Sequence, residues 1–170
     1  MARTSKKENK SLYQLRREAL GLTREKASEM LEFISPERIE RIESGRYYPH
    51  SDEVIAMAEK YKAPELCNYF CSNQCTVGNK YVPQIEMKQL SQIVLELVSS
   101  VNAVQDARMK LIEISADGKI DDAELDDFVS IQEQLEQISV AVETLQLWTE
   151  KMIADGNINV EKYNEIKAEV

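Results

Sequence analysis

The sequence predicts an all-α protein in two parts, a compact cluster of short helices followed by a long antiparallel helical hairpin with a short third helix. Three observations predict it. The 170 residues include only 5 Gly and 4 Pro, too few turn formers for a sandwich or barrel of many short strands. The breaks gather in the first half, where Gly21, Pro36, Gly45, Pro49 and Pro64 leave apolar stretches too short for long helices. Beyond Pro83 there is no proline, and apolar residues recur every three or four positions, which is the helical period.

Residues 1–10 are expected to be a flexible basic arm, since Arg3, Lys6, Lys7 and Lys10 concentrate positive charge there. An arm lying along phosphates and a merely solvated tail both fit that composition. Residues 11–62 read as five short helices, and 11–63 as one domain. Thr23 is placed to cap the helix that begins at Arg24, with Lys26 where a full capping box would have Glu or Gln. Ser35-Pro36-Glu37 is a strong helix start: a hydroxyl to accept a backbone N–H, a proline where no donor is lost, and an acid at the positive dipole end. In that helix Ile39 and Ile42 should face inward, leaving Glu37, Arg38, Glu40 and Arg41 more exposed. Gly45 then ends it.

Several spaced positions in this stretch agree with one pattern: Leu15-Arg16-Arg17, Gly21-Leu22-Thr23-Arg24, then Ser35 to Ile39, Ile42-Glu43-Ser44-Gly45 and Pro49, then Val54, Met57-Ala58 and Tyr61. The stretch resembles the helix-turn-helix domain of the Cro and phage-repressor (XRE-like) transcription regulators. The resemblance implies a five-helix repressor-like fold and double-stranded DNA as partner. It implies a structural ion pair between Arg17 and Glu43, phosphate contacts from Arg24, Ser35 and Arg46, and base contacts from Arg41, Glu37 and Pro36. Arg41 is the favoured base reader, because a guanidinium pairs bidentately with guanine. Two features depart from the family: Ala27-Ser28 replaces its usual Leu-Ala, and the turn Leu31-Glu32-Phe33-Ile34-Ser35 is one residue longer than its common form.

Residues 64–82 read as a Cys-containing helix and linker. Cys67, Cys71 and Cys75 recur every four residues, so on a helix starting near Pro64 they form a small apolar stripe beside Leu66 and Phe70. A thiolate metal site or redox switch, with His50 as a fourth ligand, is the alternative, and needs a break near Ser72-Asn73 to gather the thiols. Similar Firmicute-type regulators carry a comparable segment, which implies a shared structural or sensing role.

Residues 83–170 are expected to form a dimerisation domain. One helix should cover about 84–116 (Leu90, Ile93, Val94, Leu97, Val101, Val104, Leu111, Ile112), and a second about 121–154 (Leu125, Phe128, Leu135, Ile138, Val142, Leu145, Trp148, Met152). Their short connection demands an antiparallel hairpin. The phrase Ala-Asp-Gly-x-Ile occurs at 116–120 and again at 154–158. Both phrases read as helix-joining turns; their likeness to a calcium loop fails because the second ends in Lys162, where a bidentate carboxylate is required. A third helix is expected near 159–169. Met30, Met57, Met87, Met109, Met152 and Trp148 are expected as core fillers. Two hairpins would complete each other's stripes as a homodimer through residues 84–155, although helix three and the N-terminal cluster closing a monomeric bundle would serve too.

Charge divides with the parts. Residues 1–62 carry 13 Lys/Arg and 11 Asp/Glu, whereas 63–170 carry 8 and 19. A mildly basic head on an acidic body suits a DNA-binding dimer. No apolar run reaches membrane-spanning length, and three clustered cysteines are a poor extracellular framework, so a cytoplasmic place is expected. One histidine, no phosphate loop and no nucleophile motif argue against an enzyme. No cofactor and no small-molecule ligand are implied. The expected function is a sequence-specific, dimeric transcriptional regulator. The alternatives are a protein-protein interaction module that has lost DNA binding, and a thiol- or metal-sensing regulator.

Overall fold

The computed structural model describes residues 10–116 and 118–169, and every regular element among them is a helix. Arg3, Lys6 and Lys7 of the expected arm, and Asp117 of the first Ala-Asp-Gly phrase, lie outside the described residues. The chain divides into two compact units: residues up to 84 together with those from 151, and residues 85–150.

The first unit opens with α1 (Leu12–Ala19), α2 (Arg24–Leu31), α3 (Pro36–Glu43), α4 (Ser51–Lys60) and α5 (Glu65–Asn73). Residues 11–62 therefore hold four helices where five were expected; the fifth is the cysteine-bearing one. The expected caps are in place. Thr23 Oγ1 accepts from Lys26 N at 3.3 Å and Ser35 Oγ from Arg38 N at 3.2 Å. Gly45, at φ 71°, closes α3 as Arg46 N donates to Arg41 O and Gly45 N to Ile42 O, the paired bonds of a left-handed helix stop. The core is one cluster in which Tyr13, Ile34, Ile39, Met57 and Leu66 are almost wholly buried.

The cysteine segment departs from a single stripe. Cys67 and Cys71 lie on α5, but that helix ends at Asn73 and Cys75 falls beyond it, its Sγ accepting from Gly78 N at 3.4 Å. Gly78 begins the one-turn α6 (Gly78–Tyr81), and a Cβ there would collide with the Cys71 carbonyl, so only glycine permits this approach.

The second unit holds α7 (Leu90–Ile114) and most of α8 (Leu125–Ala154). Between them Asp121 Oδ1 accepts from the backbone N of Ala123 and Glu124, and Glu124 Oε2 from Asp121 N, so these carboxylates serve a turn. Lys110 Nζ meets Asp127 Oδ1 at 2.5 Å, tying α7 to α8 near that turn. The single apolar stripe expected on each helix resolves into two. Ile93, Leu97, Val104 and Leu111 turn inward on α7, while Val94, Val101 and Ile112 stay exposed. On α8, Ile131 and Ala141 are buried, whereas Leu125, Leu135 and Val142 are exposed. A groove of about 710 Å3, unforeseen from sequence, opens between Leu95, Ser99 and Ser100 of α7 and Glu133, Gln137 and Ala141 of α8.

The C-terminal boundary also differs from the expected 83–170 domain. Residues from 151 belong with the first unit, where Lys151 Nζ donates to the Lys62 carbonyl at 2.8 Å and meets Asp155 at 3.0 Å. The ammonium thus satisfies a carbonyl just past the end of α4, where a helix leaves acceptors unmet. Gly156, at φ 78°, stops α8, and α9 (Val160–Glu169) follows. Of the expected methionine fillers Met57 is buried, but Met87 and Met109 are exposed.

Candidate nucleic-acid interface

Helices α2 and α3 meet through the long turn noted in the sequence. Its extra residue is absorbed at Glu32, which takes φ 64° and ψ −46° while Phe33 N bonds Leu31 O at 2.7 Å. That is a tight three-residue turn, rarely adopted by side-chain-bearing residues. Leu31 and Ile34 on either side are buried, and Phe33 is turned outward. The core thereby keeps its two anchors despite the inserted residue.

Helix α3 is held at both ends by ion pairs. At its C-terminal end Glu43, with a side chain only 1% exposed, receives Arg17 Nε at 2.5 Å, Arg17 Nη2 at 3.0 Å and Arg24 Nε at 2.9 Å. Arg17 Nη1 also donates to Leu22 O. Burial by itself would lower the Arg17 pKa, but the bonds and charge of Glu43 outweigh it and raise the value above the ordinary one. Removing the acid would leave a buried guanidinium uncompensated, so this network is structural. Arg24 is drawn into it through Nε, and its remaining N–H groups are on a side chain 38% exposed.

The N-terminal half is held by a contact that sequence reasoning missed. Arg38 is not simply exposed: its Nε and Nη2 grip Glu53 at 2.7 and 2.6 Å, and Nη2 reaches Tyr48 O at 3.1 Å. Glu53 also accepts from His50 N at 2.6 Å. Burial pushes the Glu53 carboxyl upward, yet Arg38 and that backbone N–H prevail and hold it below the usual carboxylate range. The one available signal was the spacing His50-x-x-Glu53, which places an acid three residues past a helix start.

What remains outward on α3 is a mixed surface. Glu37 and Arg41 are exposed, Pro36 is half-buried, and Ile39 and Ile42 are buried as expected. Glu37 is held in its ionised form by the N–H groups at the helix start and by the Ser35 hydroxyl. Ser35 is thus engaged within the domain as a cap. Arg41 lies over the Tyr47 ring, 5.8 Å from its centre, and Arg46 extends outward with Nη1 3.3 Å from Glu40 Oε2. The exposed Tyr47 and Tyr48, past the end of α3, have no counterpart among the expected site residues.

The geometry is two short helices joined by a tight turn, the second capped, anchored at both ends and outward-facing. Residues 13–66 match the family model of a helix-turn-helix domain. The match runs from Tyr13 to Leu66, both wholly buried, so it spans the closed core and nothing of the hairpin. A helix-turn-helix domain supports a DNA-binding regulator. No curated protein and no solved structure matches the chain.

The alternative sites fare differently. Cys67, Cys71 and Cys75 are all half-buried, His50 stands exposed at the start of α4, and no group of three metal-ligating side chains comes together among the described residues. No described helix is long and apolar enough to cross a membrane.

Proposed function

We propose that this chain is a sequence-specific transcriptional regulator of the Cro and phage-repressor (XRE-like) type, working in the cytoplasm as a homodimer through residues 84–155. In this reading α3 enters the major groove, with Arg41 on a base edge and Glu37 and Pro36 beside it. Arg46 and the free N–H groups of Arg24 lie along phosphates, with Ser35 beside them at the helix start. The observation that carries the reading is the outward guanidinium of Arg41 on a helix whose other two arginine-bearing contacts, Arg17–Glu43 and Arg38–Glu53, are spent on holding it in place. Glu37 and Glu40 on the same helix repel phosphate and accept hydrogen bonds, so a single head binds modestly and pairing supplies the missing affinity.

Selection of bound sequences from a random duplex pool tests it. A two-part operator should emerge, with half-sites separated by about one helical turn or a multiple of it. Arg41→Ala should relax the preference at one base pair and cost about 1–3 kcal/mol, whereas Arg46→Ala should weaken all sequences alike and reduce the salt slope by about 1. Absence of binding even at low salt would sink the proposal and leave a protein-binding module in its place.

A further inference from the structure

Residues 85–150 carry 14 Asp/Glu and 4 Lys/Arg, a net charge of −10. One long face of the hairpin is nearly clear of them. On α7 the exposed Val94, Val98, Val101, Met109 and Ile112 continue in register through Gln105. Most of these lie one residue past an inward position such as Ile93, Leu97 or Leu111. On α8 the exposed Leu125, Leu135 and Val142, with Gln132 and Ser139 between, stand one residue past Ile131, Ile138 and Ala141 and their neighbours in the inward line. Both helices are right-handed and they run antiparallel, so one step on from the inward line turns each toward the same side. The stripes therefore lie side by side. Arg108 is the one charged side chain within the α7 stripe, on a stem long enough to carry its charge to the edge, and Glu136 and Glu143, two turns apart, edge the α8 side. Glu96 and Glu133 line the groove, which opens on the other face.

We infer that this face, and not the groove, receives a second copy of the chain, the two hairpins stacking into a four-helix bundle. The inference rests on the homodimer reading above and adds the surface that makes it. Two bodies each carrying −10 repel unless they meet where the acid is missing, so the clear face suits an identical partner. The size also fits. At about 1.5 Å per residue α7 is ~37 Å long, and two helices side by side are ~20 Å wide, giving a footprint near 700 Å2 against the ~800 Å2 per partner of a standard interface. The Lys110–Asp127 contact sets a register in which Gln105 and Gln132 share one level. Their polar layer, set in an otherwise apolar stripe, is a device that fixes alignment between bundles at some cost in stability.

The test uses the full-length chain in sedimentation equilibrium. One variant combines Val101→Lys with Leu135→Lys, a second Val101→Glu with Leu135→Glu, and a third places Ser99→Lys and Gln137→Lys in the groove. Each face variant alone should raise the dimer dissociation constant by about 100-fold or more, because like charges are forced together. Their equimolar mixture should dimerise again, which also shows that both are folded, and the groove variant should keep the wild-type mass. Face variants that stay dimeric, a mixture that stays monomeric, or a groove variant that dissociates would overturn the assignment of the face while wild-type dimers leave the homodimer standing. Wild-type protein that sediments as a monomer at about 100 µM would remove both.

Discussion

The head and the hairpin are built from the same helical periodicity, yet one closes its core and the other does not. In the head, five short helices set at angles surround Tyr13, Ile39 and Leu66, and each is at most 1% exposed. In the hairpin, two long helices bury one line of side chains and leave a second line in water, with Val98 52% exposed, while Leu95 on the groove side is 72% exposed. The difference is geometric. A short helix can be enclosed by neighbours from its own chain, whereas a two-helix layer always retains two open faces. Polar chemistry follows suit. The head buries Glu43 between two arginines, and the hairpin leaves most of its acids in solvent, where they cost little and contribute little.

That contrast is most easily broken at Glu43. Glu43→Ala should destabilise the head by about 3–5 kcal/mol, since it strands the buried Arg17 guanidinium. Denaturant unfolding followed by the fluorescence of Tyr13 and its neighbours would measure it; a loss under 1 kcal/mol would mean that the network is not what holds α3. A smaller effect is expected from the inserted turn. Glu32→Gly relieves a positive φ but frees the unfolded chain, and should raise stability by about 0.5–1 kcal/mol in the same assay. A drop instead would show that the turn relies on the Glu32 side chain.

Acid provides a third probe. The Glu53 carboxyl is held below its usual range, so the stability it supplies is fully present above the unfolded carboxylate range and disappears as pH falls through the folded value. Arg38→Met should flatten that acid limb while costing up to about 1 kcal/mol at neutral pH. An unchanged acid limb would argue against the pairing. The smallest change belongs to the hairpin. Leu95→Ala should alter stability by no more than about 0.5 kcal/mol in thermal melts, because so little of Leu95 is buried. A cost above 1 kcal/mol would show that Leu95 is covered in solution.

Much of the head could be seen before any coordinates. Ser35, Thr23 and Gly45 act within four residues of where they stand, so their roles as caps and stops follow from local chemistry. Arg17–Glu43 came through family resemblance, as no local rule links positions 26 residues apart. Arg38–Glu53 escaped for that same reason, since the pair forms only when α4 folds back on α3. The cysteines illustrate another limit: a spacing of four describes a helix but does not show where it ends, and Cys75 falls past the break.

By itself the sequence determined the all-α class, the starts of α2 and α3, the approximate extents of the hairpin helices and the identity of the outward helix, because period, caps and helix breakers act over one or two turns. Only the tertiary structure decided which half of each hairpin stripe is inward, that residues from 151 join the head, and that Arg24 shares Glu43 with Arg17. Those outcomes depend on which surfaces and charges meet across large separations in the chain, and a helical repeat alone carries no record of its neighbour.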